Sequence, residues 1–203
     1  MTTAGVVLAG GRSTRMGRPK AELAWADTTL LAHVVSRVGE AVDGPLVVVR
    51  APGQVLPDLP DGVRVVEDPA EGLGPLQGIA AGLGAAEAPC AFVTATDMPL
   101  LAPAFIRRVV ALLGDADVAM PVVFGHRQTL AAAYRTSVAS VAAALVAELR
   151  LNPGFLLERC RVNWIDEATL LADPALAAAD PHLQSVTSVD TPGDYESALH
   201  RGL

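Results

Sequence analysis

The stretch Leu8–Lys20, LAGGRSTRMGRPK, follows a short apolar segment typical of a β-strand and carries most of the functional information in the chain. It combines three glycines, three arginines and one lysine. Glycine lets a backbone approach a ligand closely and adopt positive φ without a Cβ clash. Arginine and lysine donate charge-assisted hydrogen bonds to phosphate oxygens. The loop therefore predicts a binding site for a nucleoside triphosphate at the C-terminal end of a first strand.

This loop differs from two widespread phosphate-binding motifs. A Walker A motif has Gly-Lys followed by Ser or Thr, whereas Lys20 lies between a proline and an alanine, so no hydroxyl is placed for Mg²⁺. The dinucleotide fingerprint needs the spacing G-x-G-x-x-G, which Gly10, Gly11 and Gly17 do not have. A glycine-rich turn with incidental charge is the simpler alternative. It explains poorly why so many cations crowd one loop of a chain with a net charge of −7.

Size and composition restrict the class of protein. A chain of 203 residues, 51% of them hydrophobic, can bury one substantial core, and we expect a single domain over residues 1–203. No apolar stretch is long enough to span a bilayer, and the first residues lack the features of a signal peptide, which predicts a cytoplasmic protein without membrane association. The acidic balance argues against general nucleic-acid binding. Anionic ligands must therefore bind in a local pocket, with the help of a divalent cation.

Strand-like and helix-like segments alternate along the chain, which predicts an α/β fold with a mostly parallel sheet. We expect loops or turns around Pro174 and Pro181. The predicted strands cover 6–9, 46–50, 63–66, 91–95, 118–123, 129–134 and 162–165. The predicted helices cover 30–42, 103–113, 137–148 and 155–159, with two more that begin near Pro75 and near Pro192.

Polar residues follow three of the predicted strands. In open parallel sheets, ligands bind at the carboxyl ends of the strands. The first strand leads into the glycine-arginine loop, the strand at 63–66 into Glu67-Asp68, and the strand at 91–95 into Thr96-Asp97. Asp97 is the best candidate for a metal ligand, because phosphate-bound Mg²⁺ takes only one or two protein carboxylates. An ordinary turn aspartate before Met-Pro is the competing interpretation.

LAGGRSTRMGRPK resembles the signature loop of the molybdenum cofactor guanylyltransferases, in which LAGG precedes a variable stretch, Arg-Met-Gly and a lysine. The resemblance implies a three-layer, Rossmann-like, mostly parallel sheet with helices on both faces, of the nucleotide-diphospho-sugar transferase type. It also implies catalytic roles for Arg15 and Lys20, which would hold the β- and γ-phosphates and stabilise the leaving pyrophosphate. The nucleotide-binding residues that it implies in this loop are Leu8, Ala9, Gly10, Gly11 and Lys20.

Two further segments match the family pattern. In the family, the aspartate of the Asp-x-Pro segment is the Mg²⁺ ligand. The resemblance therefore implies that Asp97 is catalytic and binds both metal and nucleotide. Gly74, Gly78 and Gly82 follow a four-residue spacing that also predicts close packing of a helix on the sheet. The residues implied for the base and ribose pocket are Asp68, Gly74, Pro75 and Leu76.

The C-terminal segment SVTSVDTPGDY departs from the family pattern. Guanylyltransferases of this type carry Asn-x-Asn-Thr-Pro there, whereas this chain has Ser188 and Asp190 in place of the two asparagines. An aspartate at that place is familiar in related cytidylyl- and sugar-nucleotidyltransferases, where it gives Mg²⁺ a second carboxylate. Asp190 is therefore a second candidate metal ligand. The alternative is that it caps the helix that begins near Pro192.

The implied reaction is Mg²⁺-dependent transfer of GMP from GTP to the phosphate of molybdenum-loaded molybdopterin, with release of pyrophosphate. LAGG and GPLQG favour the guanylyl branch over the cytidylyl branch. The family also implies a partner that delivers molybdopterin or is a chaperone of the target enzyme. The region of His126 and Arg127 would face the acceptor, which makes Arg127 a candidate phosphate contact. The alternatives are a related nucleotidyltransferase that uses CTP or another phosphorylated acceptor, and a non-catalytic nucleotide-binding protein.

Overall fold

The computed structural model describes residues 1–10, 16, 19–69 and 72–202. Apolar strands and amphipathic helices alternate along most of this length. The strands are β1 (Thr3–Leu8), β2 (Ala24–Trp25), β3 (Thr28–Thr29), β4 (Leu46–Arg50), β5 (Arg64–Glu67), β6 (Cys90–Ala95), β7 (Val118–Val123), β8 (His126–Arg127), β9 (Ala131–Arg135) and β10 (Val162–Ile165). The helices are α1 (Leu30–Gly39), α2 (Pro75–Ala85), α3 (Pro103–Ala111), α4 (Val138–Ala147), α5 (Pro153–Leu157), α6 (Glu167–Leu171), α7 (Pro174–Ala179) and α8 (Pro192–Gly202).

A central sheet organises the fold. In the described part of the chain it has eight strands in the order β10-β7-β9-β6-β1-β4-β5, with the short β8 paired to β7. β1 pairs in parallel with both β4 and β6, whereas β9 runs antiparallel to β6 and β7. The chain leaves β1 toward β4 and later returns on its other side at β6. The carboxyl end of β1 is therefore the switch point at which open α/β sheets bind ligands.

Helices cover both faces of this sheet. On one face the buried side chains of Val7 and Phe92 pack with those of α1 and α3. On the other, Val6 and Val93 pack with side chains of α2 and α4. This three-layer arrangement confirms the predicted fold class. Among the helices described, none combines the length and apolarity needed to cross a membrane.

The region after β10 differs from the sequence-based expectation. The prediction of a loop around Pro174 is wrong, because α7 begins there, and it follows a second short helix, α6. The carboxylates of Asp166 and Asp173 cap these helices by accepting from the Thr169 N–H and the Leu176 N–H, at 2.8 and 2.9 Å. An aspartate cap followed by proline at the first helical position outweighs the turn preference of proline.

Helix α2 lies close to the sheet at Gly78 and Gly82, as their spacing predicted, whereas a Cβ at Gly74 would meet no heavy atom of the described residues within 4 Å. A Cβ at Gly82 would lie 2.3 Å from Val6 Cγ1 and 3.1 Å from Val49 Cγ2. A Cβ at Gly78 would lie 3.1 Å from Leu8 Cδ1. By contrast, a Cβ at Gly84 would meet no heavy atom of the described residues within 4 Å beyond its own helix neighbours. The same helix therefore offers a tightly packed glycine and a matched open one.

We expect Gly82→Ala and Gly84→Ala to change the stability in opposite directions. Gly82→Ala should lower the free energy of unfolding by about 1–3 kcal/mol, because its methyl group overlaps two valines of the sheet. Gly84→Ala should raise it by up to about 1 kcal/mol through helix propensity. Urea denaturation of both variants measures the difference. Equal effects at the two positions would contradict the close packing of α2.

Candidate active site

Three charged side chains meet at the carboxyl edge of the sheet. Lys20 opens a short 3-10 turn after the glycine-arginine loop, Asp97 follows β6, and Asp190 precedes α8. The Lys20 ammonium donates to Asp97 Oδ2 at 3.0 Å and to Asp190 Oδ1 at 2.8 Å. The structure thus brings together one predicted phosphate ligand and both predicted metal ligands, from positions 77 and 170 residues apart.

Backbone hydrogen bonds hold these segments in place. The carbonyl of Leu8, at the end of β1, accepts from both the N–H and the hydroxyl of Thr96, at 3.1 Å each. The carbonyl of Asp97 accepts from the N–H of Val189 at 2.8 Å. The segments that carry Asp97 and Asp190 are thereby fixed relative to the end of β1 through contacts of Leu8 and Val189.

Thr191 and Asp194, and not Asp190, cap the N-terminus of α8. Thr191 Oγ1 accepts from the Asp194 N–H at 3.2 Å, and Asp194 Oδ2 accepts from the Thr191 N–H at 2.8 Å, which forms a reciprocal capping box. The hydrogen bonds from Thr191 lower the pKa of Asp194. Asp190 instead accepts from the Ser188 hydroxyl at 2.9 Å and from Lys20. Its carboxylate is therefore directed into the charged cluster.

Lys20 carries a stable positive charge in this cluster. Its side chain is 17% exposed, against 25% for Asp97 and 48% for Asp190. Burial alone would lower the pKa of Lys20, but hydrogen bonds and charge interactions with Asp190 and Asp97 outweigh it and raise the pKa.

The donor set suits a hard divalent cation. Asp97 and Asp190 each direct a carboxylate oxygen to the same point, which the Lys20 ammonium occupies in this structure. Within the described residues, no group of three or more His, Cys, Asp and Glu side chains is arranged to hold a metal. Mg²⁺ bound to phosphates commonly takes only one or two protein carboxylates. These two residues therefore fit such an ion, with phosphate oxygens and water as the other ligands.

Two small residues, Ala9 and Gly10, follow β1 and bring the main chain close to the site. The carbonyl of Ala9 accepts from Gln54 Nε2 at 3.1 Å, and a Cβ at Gly10 would lie 3.1 Å from the Ala51 nitrogen. Glycine is therefore the residue that fits here without displacing the neighbouring chain. Two other predicted residues of this loop, Gly11 and Arg15, lie outside the described residues.

The predicted base and ribose pocket has a buried partner that sequence reasoning missed. Gln77 is 5% exposed, and its amide donates to the carboxylate of Asp68. A single polar residue in the otherwise apolar segment PLQGIAAGLGA was the available signal. Gly74 has φ +74°, which suits glycine before Pro75 at the start of α2. The side chain of Leu76 is fully buried in the core, as that of Leu8 nearly is, so both lie beneath the surface that a ligand can reach.

Other candidates lie apart from the charged cluster. The Arg127 guanidinium stacks over the ring of Trp164, 5.0 Å from its centroid, and β9 separates its part of the sheet from β6. His33 Nε2 hydrogen-bonds the Pro99 carbonyl at 2.9 Å, and burial lowers the pKa of this imidazole. His33 is therefore neutral near pH 7 and holds the segment after Asp97.

A mostly parallel sheet with charged groups at its switch point, a glycine-rich first loop and two converging carboxylates defines a nucleotide-binding α/β enzyme of the nucleotidyltransferase class. The model of the MobA-like NTP transferase domain matches residues 5–160, and the chain belongs to this family. This membership confirms the resemblance that the first loop indicated.

Individual relatives agree with this placement. A probable molybdenum cofactor guanylyltransferase from Mycobacterium tuberculosis is 48% identical over 143 residues, which cover 67% of this chain and 69% of that protein. The structure of molybdopterin-guanine dinucleotide biosynthesis protein A from Archaeoglobus fulgidus aligns with a TM-score of 0.73 and 20% identity over 98% of each chain.

Two further solved structures share the fold. The 2-C-methyl-D-erythritol 4-phosphate cytidylyltransferase from Thermus thermophilus aligns with a TM-score of 0.70 and 19% identity, over 100% of this chain and 99% of that one. A Mycobacterium tuberculosis protein solved in complex with manganese aligns with a TM-score of 0.59 and 23% identity, over 98% and 99% of the two chains. The fold is thus that of the nucleotide-diphospho-sugar transferase type.

Proposed function

We propose that this protein transfers GMP from GTP to the phosphate of molybdenum-loaded molybdopterin and releases pyrophosphate. The observation that carries the proposal is the convergence of Lys20, Asp97 and Asp190 at the switch point of the sheet. We infer the substrates from the name of the Mycobacterium tuberculosis relative, a probable molybdenum cofactor guanylyltransferase. Both faces of the one central sheet are covered by packed side chains, so we further propose that residues 1–203 act as a single catalytic domain.

The proposed mechanism relies on positioning and charge. A divalent ion, Mg²⁺ in our proposal, would be held by Asp97 and Asp190 and would offset the charge that develops on the phosphate oxygens. Lys20, and Arg15 by its family role, would bind the β- and γ-phosphates and stabilise the leaving pyrophosphate. The acceptor phosphate is already anionic near neutral pH, so its attack on the α-phosphorus needs no general base. The bond to the acceptor oxygen forms as the bond to the β-phosphate oxygen breaks.

We propose that the guanine base is selected at the N-terminal end of α2. Asp68 follows β5, and its carboxylate is oriented by the buried amide of Gln77. A carboxylate held in this way can accept two N–H groups from one edge of guanine, a donor pattern that cytosine lacks. Gly74 provides close backbone approach beside it. We therefore propose that Asp68 and the start of α2 bind the base and ribose of GTP.

A nucleotide panel tests this function directly. Purified protein is incubated with Mg²⁺, molybdenum-loaded molybdopterin and GTP, CTP or ATP in turn, and pyrophosphate release is followed together with the nucleotide product. We expect GTP to exceed the other nucleotides in kcat/KM by at least about 100-fold, because buried polar groups would stay unpaired with the wrong base. Omission of molybdopterin should abolish release. Turnover with CTP alone, or only with a different acceptor, would refute the guanylyltransferase assignment.

One observation favours a second candidate. Asp190 replaces the asparagine of the guanylyltransferase pattern and points at Lys20, as a second metal carboxylate would in cytidylyl- and sugar-nucleotidyltransferases. A related nucleotidyltransferase that uses CTP or another phosphorylated acceptor is therefore the alternative, and the same panel separates the two.

A further inference from the structure

A cavity of about 550 Å³ lies on the α1 side of the molecule. Its walls come from α1, the segment after Asp97, the segment that follows α7, and the end of α8. Lys20, Asp97 and Asp190 do not line it. Two of its lining side chains, Arg37 and Arg201, are guanidinium cations, and two others, His33 and His182, are imidazoles.

Among the described residues that line this cavity, Asp180 is the one with a carboxylate, and this carboxylate is already hydrogen-bonded. Asp180 is 5% exposed, and its oxygens accept from the Gln184 N–H at 2.7 Å and from the N–H and hydroxyl of Ser185 at 2.8 and 2.6 Å. Three hydrogen bonds satisfy this carboxylate inside its own loop, so it does not pair with either arginine of the cavity.

The loop that carries Asp180 is held in one conformation. Leu183 is buried and adopts φ +50°, a left-handed conformation that is uncommon for a bulky residue. The Ser185 hydroxyl donates to Asp180 and also accepts from the Ala102 N–H at 3.0 Å, which ties the loop to the segment before α3. Backbone strain of this kind persists only where the surroundings fix it. The wall of the cavity is therefore rigid, and a ligand would lose little free energy in ordering it.

Arg37 and Arg201 are each held by hydrogen bonds that use only some of the nitrogens of the guanidinium group. Arg37 donates from Nε to the Leu101 carbonyl at 3.3 Å and pairs with Glu40 at 3.1 Å through one terminal nitrogen. Arg201 donates through one terminal nitrogen to Gln184 Oε1 at 2.9 Å. Among the described residues, the second terminal nitrogen of each arginine has no hydrogen-bond partner. Two fixed forks with free N–H groups are suited to a phosphate.

We propose that this cavity binds a small organic phosphate monoester, with the phosphate between Arg37 and Arg201 and the organic part on the apolar wall formed by Pro99, Leu100 and Ala102. Its volume lies within the usual range for small-molecule sites, roughly 300–1,000 Å³. The site does not depend on the proposed transfer reaction. It adjoins both segments that carry the proposed metal ligands, because Pro99 follows Asp97 closely and Arg201 lies in the last turn of α8, the helix that begins shortly after Asp190.

Histidine resonances provide a site-resolved test. The chain has four histidines, of which His33 and His182 line the cavity, whereas His126 and His200 do not and serve as internal controls. The full-length protein is titrated with phenyl phosphate and with inorganic phosphate, without nucleotide or metal, and the imidazole C–H signals are followed by NMR. We expect saturable shifts of His33 and His182 only. Phenyl phosphate should bind at least about fivefold more tightly than inorganic phosphate, because its ring buries apolar surface.

Matched variants complete the test. The double variant Arg37→Gln/Arg201→Gln should weaken binding at least about tenfold, since two charge-assisted contacts are lost. Arg107→Gln is the control, because Arg107 is an exposed arginine of α3 that donates to the Glu40 carbonyl at 3.1 Å and does not line the cavity. Lys20→Met should keep the shifts of His33 and His182, which separates this site from the transfer site. Parallel drift of all four histidines, equal binding of the two phosphates, or unchanged binding by the double variant would overturn the proposal.

Discussion

Asp97→Asn is expected to lower kcat/KM for nucleotidyl transfer by on the order of 10³-fold. The substitution keeps the shape of the side chain and removes the carboxylate that we assign to the metal, whose charge stabilisation in such sites amounts to several kcal/mol. The fold should tolerate it, because the main-chain carbonyl of Asp97, and not its side chain, accepts from the Val189 N–H. The loss should therefore appear in catalysis and metal binding and leave stability nearly unchanged.

A metal-binding measurement and a control variant accompany the kinetics of Asp97→Asn. Free Mn²⁺, followed by electron paramagnetic resonance, should show that the variant binds the ion more weakly, both alone and with GTP. Asp115→Asn is the matched control, because Asp115 is an exposed aspartate in the turn after α3, remote in sequence from the site. Turnover within about tenfold of the unchanged protein would contradict the metal role of Asp97. If the unchanged protein binds nucleotide but never releases pyrophosphate, the non-catalytic alternative holds instead.

Much of the architecture was accessible from local sequence patterns. Continuous apolar runs such as LVVVR mark strands buried on both faces, and β4, β7 and β10 begin and end where predicted. Proline at the first helical position located α2, α3 and α8. Asp97 could be proposed because polar residues at the carboxyl ends of parallel strands converge. Each of these signals lies within a few residues of the feature that it predicts.

Features that depend on contacts between residues distant in the chain could not be predicted from local sequence patterns. The pairing of Lys20 with Asp190 joins residues 170 positions apart, and no periodicity encodes it. Whether Asp190 caps α8 or faces the cluster was left open, because Asp, Thr and the later Asp194 all suit a helix start. The antiparallel direction of β9 is likewise set by pairing with β6 and β7, since its alanine-rich segment carries no directional signal. The buried bond between Gln77 and Asp68 also appears only in three dimensions.

Lys20→Met is expected to affect catalysis and metal binding in opposite directions. Loss of the ammonium should lower kcat/KM by roughly 10²–10³-fold, because one donor to the leaving phosphates disappears. In the nucleotide-free structure, however, the same ammonium occupies the point at which oxygens of Asp97 and Asp190 converge. Its removal should strengthen Mn²⁺ binding in the absence of nucleotide by about tenfold, because a like charge no longer competes for the carboxylates.

Lys20 is the single lysine of the chain, so its displacement can be observed directly. Protein labelled with ¹³C only at the lysine Cε gives one side-chain signal. For this experiment the diamagnetic Mg²⁺ replaces Mn²⁺. The signal should move as Mg²⁺ is titrated to saturation, and again when GTP is added. Lys20→Arg keeps the positive charge and is the control: it should restore the weak metal affinity of the unchanged protein, since guanidinium competes as ammonium does. If Lys20→Met instead weakens Mn²⁺ binding as Asp97→Asn does, the lysine holds the two carboxylates in place for the ion and does not compete with it.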